Sequence, residues 1–336
     1  EADVESTRIQ VNGFVVRDDC EEPSHPLSEG TVHDYLVENG IPGISGVDTR
    51  AITRKLRSAG VMMGIITPNE DVEAALATLA KAPRYGEFDV VGNVSTDDIY
   101  EWTGDAGEQS RAFFDLRGRA RQGGMGVDVE RGIGQRDLGD NYMKVVVNDY
   151  GVKLNILRSL RARGCEVIVV PDDASADDIL GHEPDGVMLS PGPGDPELLD
   201  RSVATAKGLA GKVPMMGICL GHQVIARAFG ASTFKLHFGH RGGNQPVKDL
   251  ESGRVYVTAQ NHGYAVDADG LPDGLEVSHI NLNDQTVEGL RHRDMPIMTI
   301  QYHSEASPGP HDSEYLFDRF VGLIRTGQAG KTAAKV

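Results

Sequence analysis

Four short, mainly apolar runs separated by helical segments constrain this chain more than any other feature. Lys144 to Asn148, Cys165 to Val170, Gly186 to Ser190 and Val213 to Ile218 each read as a strand. Asp149-Tyr150-Gly151 closes the first, and a helix follows with Leu154, Leu157 and Leu160 at spacings of three. A strand apolar on both faces needs cover on both faces. Strands alternating with helices therefore predict an α/β domain on a doubly wound, mostly parallel sheet. Such sheets bind ligands beyond the carboxyl ends of their strands. The residues after each strand are the candidate functional residues.

The strand ending at Ile218 runs into Cys219, and Leu220 to Phe229 has helical periodicity, with Gly230 to end it. Gly217-Ile218-Cys219-Leu220-Gly221-His222-Gln223 has the form of a G-x-C-x-G nucleophile elbow. Its sharp strand-to-helix turn strains the nucleophile and requires small residues two positions either side. The helix N-terminus favours a thiolate, and the N–H after the nucleophile points at a developing oxyanion. A lone cysteine more often only packs, and the elbow context argues against that fate here.

A cysteine nucleophile needs a base, and the chain offers 11 histidines. His222 lies on the helix that leaves the elbow, which carries it away from the thiol into a packing or hydrogen-bonding role. His303 follows the strand Pro296 to Tyr302 at its carboxyl end, and Glu305 two residues on can orient its imidazole. The strand Gly186 to Ser190 ends in Pro191-Gly192-Pro193-Gly194, a loop stiffened by prolines whose glycines let backbone amides approach a ligand. Ala259 to Tyr264 offers amide and aromatic groups suited to a polar amino acid.

The rest of the chain is organised differently. Val11 to Val16 and Val61 to Thr67 read as strands. Residues 29–39 and 48–59 read as helices ended by Gly40 and Gly60, with Asp48 as a cap. Arg50, Arg54 and Arg57 form a basic ridge that reads as a solvated face. The Gly- and Arg-rich stretch 105–143 reads as a linker. The domains expected are thus 1–104, partial at its N-terminus, and 144–327. No apolar run approaches the roughly 18–20 residues of a membrane span. A net charge of −17 opposes binding to nucleic acid or anionic lipid. The acidic start without Met reads as a processed or truncated chain, not a signal peptide. The three cysteines form no CxxC pair, which argues against a thiolate metal site and for a reducing, cytoplasmic compartment.

Together these pieces resemble the class I glutamine amidotransferases over roughly residues 144–326. Within that class the resemblance is to the small subunit of carbamoyl-phosphate synthase. It is carried by Asp149-Tyr150-Gly151-Val152-Lys153-Leu154-Asn155-Ile156-Leu157-Arg158, by Phe238 to Val247, by Gln260 to Val266, by Glu305 to Pro310, and by Val47 to Arg54 in the N-terminal segment. The resemblance implies a flavodoxin-like amidotransferase domain with Cys219 as nucleophile, His303 as base and Glu305 as its partner. Gly192, Gly194, Leu220, Gln223, Asn261, Gly263 and Tyr264 would contact glutamine, with Gly192 and Leu220 supplying oxyanion amides. Ammonia would pass to a large subunit holding ATP, bicarbonate and magnesium, in a heterodimer that makes carbamoyl phosphate for arginine and pyrimidine biosynthesis. No metal or organic cofactor is implied on this chain. Where the family usually shows Gly-His-Pro-Glu, this chain has Tyr302-His303-Ser304-Glu305. Family chains begin upstream of Glu1, with a stretch that supplies a glutamine-binding serine. The rival readings are another class I amidotransferase, such as the anthranilate or GMP synthase kind, and a non-catalytic regulatory subunit with a relic site.

Overall fold

The computed structural model describes residues 4–26, 28–84, 86–104 and 142–333. The linker expected over 105–143 falls, up to residue 141, outside them. The described residues form two compact units: Ser6–Phe88, and Glu5 with Asp89 onward.

In the first unit, β1 (Phe14–Val15) pairs in parallel with β2 (Gly43–Ile44). Three helices follow the capping logic of the sequence: α1 (Val32–Glu38), α2 (Thr49–Ala59) and α3 (Val72–Leu79). Thr31, Asp48 and Asp71 each accept a hydrogen bond from the backbone N–H three residues on, which satisfies a donor the helix itself leaves free. Gly60 ends α2 at φ 83°. The strand expected over 61–67 does not form. That segment runs beside Gly13 through the Ile66 side chain, a contact that needs no backbone ladder.

The second unit carries a ten-stranded sheet with helices between its strands. β3 (Tyr100–Glu101), β4 (Met143–Asp149), α4 (Leu154–Arg161), β5 (Cys165–Pro171), α5 (Ala176–Gly181) and β6 (Gly186–Leu189) come first. α6 (Asp200–Leu209), β7 (Met215–Ile218) and α7 (Leu220–Ala228) follow. The long strands β8 (Thr233–Asp249) and β9 (Val255–Val266) precede β10 (Leu275–Asn281), β11 (Val287–His292), β12 (Ile297–Ile300) and α8 (Tyr315–Ala333). The sheet order is β3-β5-β4-β6-β7-β12-β11-β10-β8-β9. The block β5-β4-β6-β7-β12 is parallel, as the sequence pattern requires. β11, β10, β8 and β9 extend it as antiparallel strands, and β3 caps the other edge antiparallel to β5. Tyr100 and Trp102, on the N-terminal side of the linker, therefore pack with the sheet domain.

Side-chain alternation shows why the parallel strands read as continuous apolar runs. Val145, Val147, Val167, Val169, Met216 and Ile218 enter one core with Leu157 and Leu160 of α4 and Phe317 and Phe320 of α8. Val146, Val170, Val187, Leu189 and Met215 enter another with Leu209, Leu220, Val224 and Ile225. Successive residues of a strand thus feed opposite faces, and each buried Val, Leu or Ile contributes roughly 1.5–3 kcal/mol. Among the described residues, no helix is long and apolar enough to cross a membrane.

Candidate active site

Cys219 is the hinge between β7 and α7, at φ 52° and ψ −103°. A positive φ is strained for any residue but glycine, and such strain collects at functional sites. Close packing on both sides holds it. A Cβ on Gly217 would stand 2.5 Å from the Gly221 carbonyl oxygen, and one on Gly221 would stand 2.2 Å from that of Leu189. Glycine is therefore required at both positions, as the elbow pattern predicts. Cys219 N–H donates to Ile300 O at 2.8 Å and Gly221 N–H to Ser190 O at 3.2 Å. The turn is thus pinned to the ends of β12 and β6.

β12 lies parallel to β7, with Ile300 opposite Ile218. The chain beyond β12 therefore leaves the sheet beside Cys219. His303 is fixed two residues beyond Gln301 by its N–H to Ala259 O, 2.9 Å. Its Nδ1 bonds Glu305 Oε1 at 2.7 Å, which leaves Nε2, a buried nitrogen with no hydrogen-bond partner, as the one available to the Cys219 thiol. Glu305 is completely buried. Burial alone would push the His303 pKa down, but the Glu305 charge and the thiol outweigh it and raise the pKa to about 10. Burial would likewise raise Glu305, but His303 and Lys153 outweigh it and bring it down to about 2. Imidazolium and carboxylate each hold the other ionised.

His222 is also completely buried, but its Nδ1 bonds Thr299 Oγ1 at 2.7 Å. Burial lowers its pKa to about 3, so it is a neutral packing residue at pH 7. Of the other predicted contacts, Leu220 opens α7, where the first N–H groups have no intrahelical acceptor. Gly192 lies against Leu220, and a Cβ there would stand 2.2 Å from Tyr150 O. Asn261 brings its carbonyl oxygen to 4.0 Å from Cys219 Sγ. Gln223 Nε2 donates to Tyr264 O and Gln301 Oε1, both at 2.9 Å, tying α7 to β9 and to the segment that carries the histidine. Gly194, at φ 100°, faces Val90, and Gly263 is half-buried between Asn261 and Tyr264 on β9.

Sequence reasoning missed the support behind the candidate triad. Lys153 Nζ lies 3.3 Å from Glu305 Oε1 and donates to the carbonyls of Ala306 and Ser307 at 2.6 and 3.2 Å. Asn155 Nδ2 donates to Glu305 O. Glu5 then accepts from Asn155 N–H, Arg158 and Ser307 Oγ. A signal for Lys153 was available: it follows β4, at the strand end where such sheets collect functional groups.

Residues 145–323 match the family model for class-I glutamine amidotransferases, and residues 1–66 match that for the carbamoyl-phosphate synthase small chain, CPSase domain. A solved structure from Thermoplasma acidophilum, proposed to be part of a GMP synthase, is 25% identical with a TM-score of 0.50. It covers 57% of this chain and 98% of its own. Fold and site together define a class I glutamine amidotransferase. The carbamoyl phosphate synthase small chain of Rhodopirellula baltica is 46% identical over 95% of this chain and 78% of its own length. Those of a Nostoc species and of Methanopyrus kandleri are 45% and 43% identical over 98% and 96% of this chain, and over 81% of their own lengths in both cases. The chain belongs to the carbamoyl phosphate synthase small chain family, and it is the amidotransferase subunit that its sequence motifs implied.

Proposed function

We propose that Cys219, His303 and Glu305 hydrolyse glutamine and that the ammonia released passes to a large, ATP-dependent subunit that makes carbamoyl phosphate. The observation that carries this reading is a cysteine strained at a helix start beside a part-buried imidazole ion-paired with a fully buried carboxylate. Cys219 Sγ attacks the side-chain amide carbon, and the oxyanion accepts from the N–H groups of Leu220 and Gly192. The tetrahedral species collapses as His303 donates a proton to the leaving nitrogen, which departs as ammonia. Water, deprotonated by His303, then attacks the thioester and releases glutamate and the thiol. Glu305 orients the ring and holds its charge. Gln223, Asn261, Gly263, Tyr264 and Gly194 shape the glutamine pocket. No residue of this chain is assigned to ATP, bicarbonate or magnesium, which belong to the partner.

The N-terminal segment is read as the docking domain for that partner. The family model matched by residues 1–66 and the exposed apolar side chains Val37, Val72 and Leu76 support the assignment. Replacing those three by Asp should weaken capture of the large subunit, and unchanged affinity would remove the role. The free thiols of Cys20, Cys165 and Cys219 suit a reducing compartment such as the cytoplasm.

Mass spectrometry of glutamine-treated protein, read at the peptide level, tests the chemistry. A glutamyl adduct is expected on Cys219. An adduct on Cys20 or Cys165 instead, or full glutaminase activity in His303→Asn, would sink the mechanism.

A further inference from the structure

On the antiparallel side of the sheet, three buried side chains with metal-binding donors converge. His240 of β8 and His262 of β9 are direct cross-strand partners, their rings 4.8 Å apart and nearly perpendicular. Glu288 of β11 joins them. One donor atom from each of the three lies within 4.8 Å of the other two. His240 and His262 are at most 7% exposed and Glu288 is not exposed at all.

Hydrogen bonds fix which ring nitrogens are available. His262 Nδ1 lies 2.8 Å from Tyr264 O. A carbonyl only accepts, so Nδ1 carries the proton and Nε2 presents a lone pair. That lone pair faces Gln260 Oε1, another acceptor, at 2.6 Å. His240 Nε2 lies 2.8 Å from Asp284 Oδ2 and donates to it, and its Nδ1 stands 3.4 Å from Glu288 Oε1. Glu288 Oε1 accepts from Asn281 Nδ2 at 3.1 Å, while Oε2 has no hydrogen-bond partner. His262 Nε2 thus faces another acceptor beside a buried carboxylate with an unpartnered oxygen, an arrangement that is costly unless a positive group lies between them.

We propose that His240 Nδ1, His262 Nε2 and the Glu288 carboxylate form a binding site for a divalent transition-metal ion of the Zn²⁺ type. Two imidazoles and one carboxylate are a donor set that suits zinc, with a fourth position open to water or to Gln260 Oε1. Each histidine already donates its other N–H to a carboxylate or a backbone carbonyl, the outer-shell arrangement that fixes a ligand's tautomer. A tetrahedral ion with bonds of about 2 Å spaces its donors about 3.3 Å apart. With donors up to 4.8 Å apart, a pair must draw in by at most about 1.5 Å, a shift on the scale of side-chain torsions. The ion would clamp the β8–β9 pair to β11 one residue from Asn261, whose carbonyl meets Cys219 Sγ. A proton shared by His240 with Asp284 and Glu288, and a turned Gln260 amide, would satisfy the same contacts without metal. Binding separates the two cases.

The test uses the whole chain in a Cys219→Ser background, so that the thiol beside His303 cannot hold the ion. After dialysis against a chelator, Zn²⁺ is titrated in competition with a chromophoric chelator, and metal retained through gel filtration is counted by elemental analysis. One Zn²⁺ per chain is expected. Glu288→Gln and His240→Gln should abolish that binding with an unchanged circular dichroism spectrum. Asp284→Asn, at an exposed position, should weaken it about 10- to 100-fold, and it decides the matter if the buried variants fail to fold. Absence of retained zinc, or equal affinity in Asp284→Asn and the parent, would overturn the proposal.

Discussion

Replacing Glu305 by Gln isolates one charge in the candidate triad while keeping the shape of the side chain. The His303–Glu305 contact is 2.7 Å between nitrogen and oxygen, which puts the charge centres about 4 Å apart. At an effective dielectric near 20, two unit charges at that separation interact by about 4 kcal/mol. One pKa unit corresponds to about 1.4 kcal/mol, so loss of the charge should lower the His303 pKa by about 3 units. That accounts for most of its rise from 6.5 to about 10. Burial opposes the rise, so the thiol must supply the remainder.

In the variant, His303 should titrate near or below neutrality instead of far above it. At pH 7.5 the imidazolium that donates to the leaving nitrogen would be scarce, and the ring would lose its orienting acceptor. The turnover number for glutamine should fall by about 10²–10³, within the range general acid–base groups contribute. The assay pairs glutaminase kinetics across pH with an NMR titration of carbon-labelled histidine, assigned through His303→Asn. The stability sign is also fixed. A histidine with a raised pKa contributes stability that is complete below pH 6.5 and lost as pH climbs through about 10. Glu305→Gln should therefore cost more stability at neutral pH than at pH 10.5. A His303 midpoint within one unit of the parent, or a turnover number within threefold, would refute the account.

Cys219→Ser should abolish glutamine-dependent synthesis in the complex yet spare synthesis from added ammonia, because a hydroxyl ionises far less readily than a thiol; loss of both activities would contradict the division of labour. His222→Asn removes a neutral buried ring bonded to Thr299, so turnover should stay within about tenfold while stability drops by about 1–3 kcal/mol, read by denaturant melts. Gly221→Ala drives a methyl to 2.2 Å from Leu189 O and should cost about 1–3 kcal/mol or more, with the elbow displaced and activity lost; a fully active, stable variant would contradict the packing argument. Lys153→Met removes a cation that helps hold Glu305 at about 2. Glu305's contribution to stability is present above its ordinary 4.5 and is lost as pH falls through the folded value, so the variant's acid unfolding should begin at higher pH.

Much of this was legible because the physics is local. The elbow needs glycines at Gly217 and Gly221; the clash at Gly217 is with Gly221, four residues on, while that at Gly221 is with Leu189 on the neighbouring strand. The parallel core declares itself through strands apolar on both faces, and His303 could be placed because Pro296 to Tyr302 reads as a strand with a functional carboxyl end. The same reasoning misfired at Val61 to Thr67, where an apolar run has side-chain contact with Gly13 but no ladder. Apolarity reports burial or contact; pairing depends on a partner elsewhere in the chain. The support residues were harder because their bonds are long-range: Lys153 and Asn155 reach the Glu305 segment across most of the domain.

The cluster of His240, His262 and Glu288 was illegible for a further reason. Zinc motifs announce themselves when two ligands share a turn of helix or a tight loop, so that spacing encodes geometry. Here each ligand comes from a different strand, and only antiparallel register brings them together. The register of β8 against β9 shifts between Lys235 and His240 and again between Gly242 and Gln245. A register one residue longer or shorter would turn His240 to the opposite face of the sheet. No periodicity along Phe234 to Val247 reports that shift, because the segment mixes glycine, histidine and arginine on both faces. The candidate metal ligands are therefore a property of strand register, and their chemistry appears only when the paired strands are seen side by side.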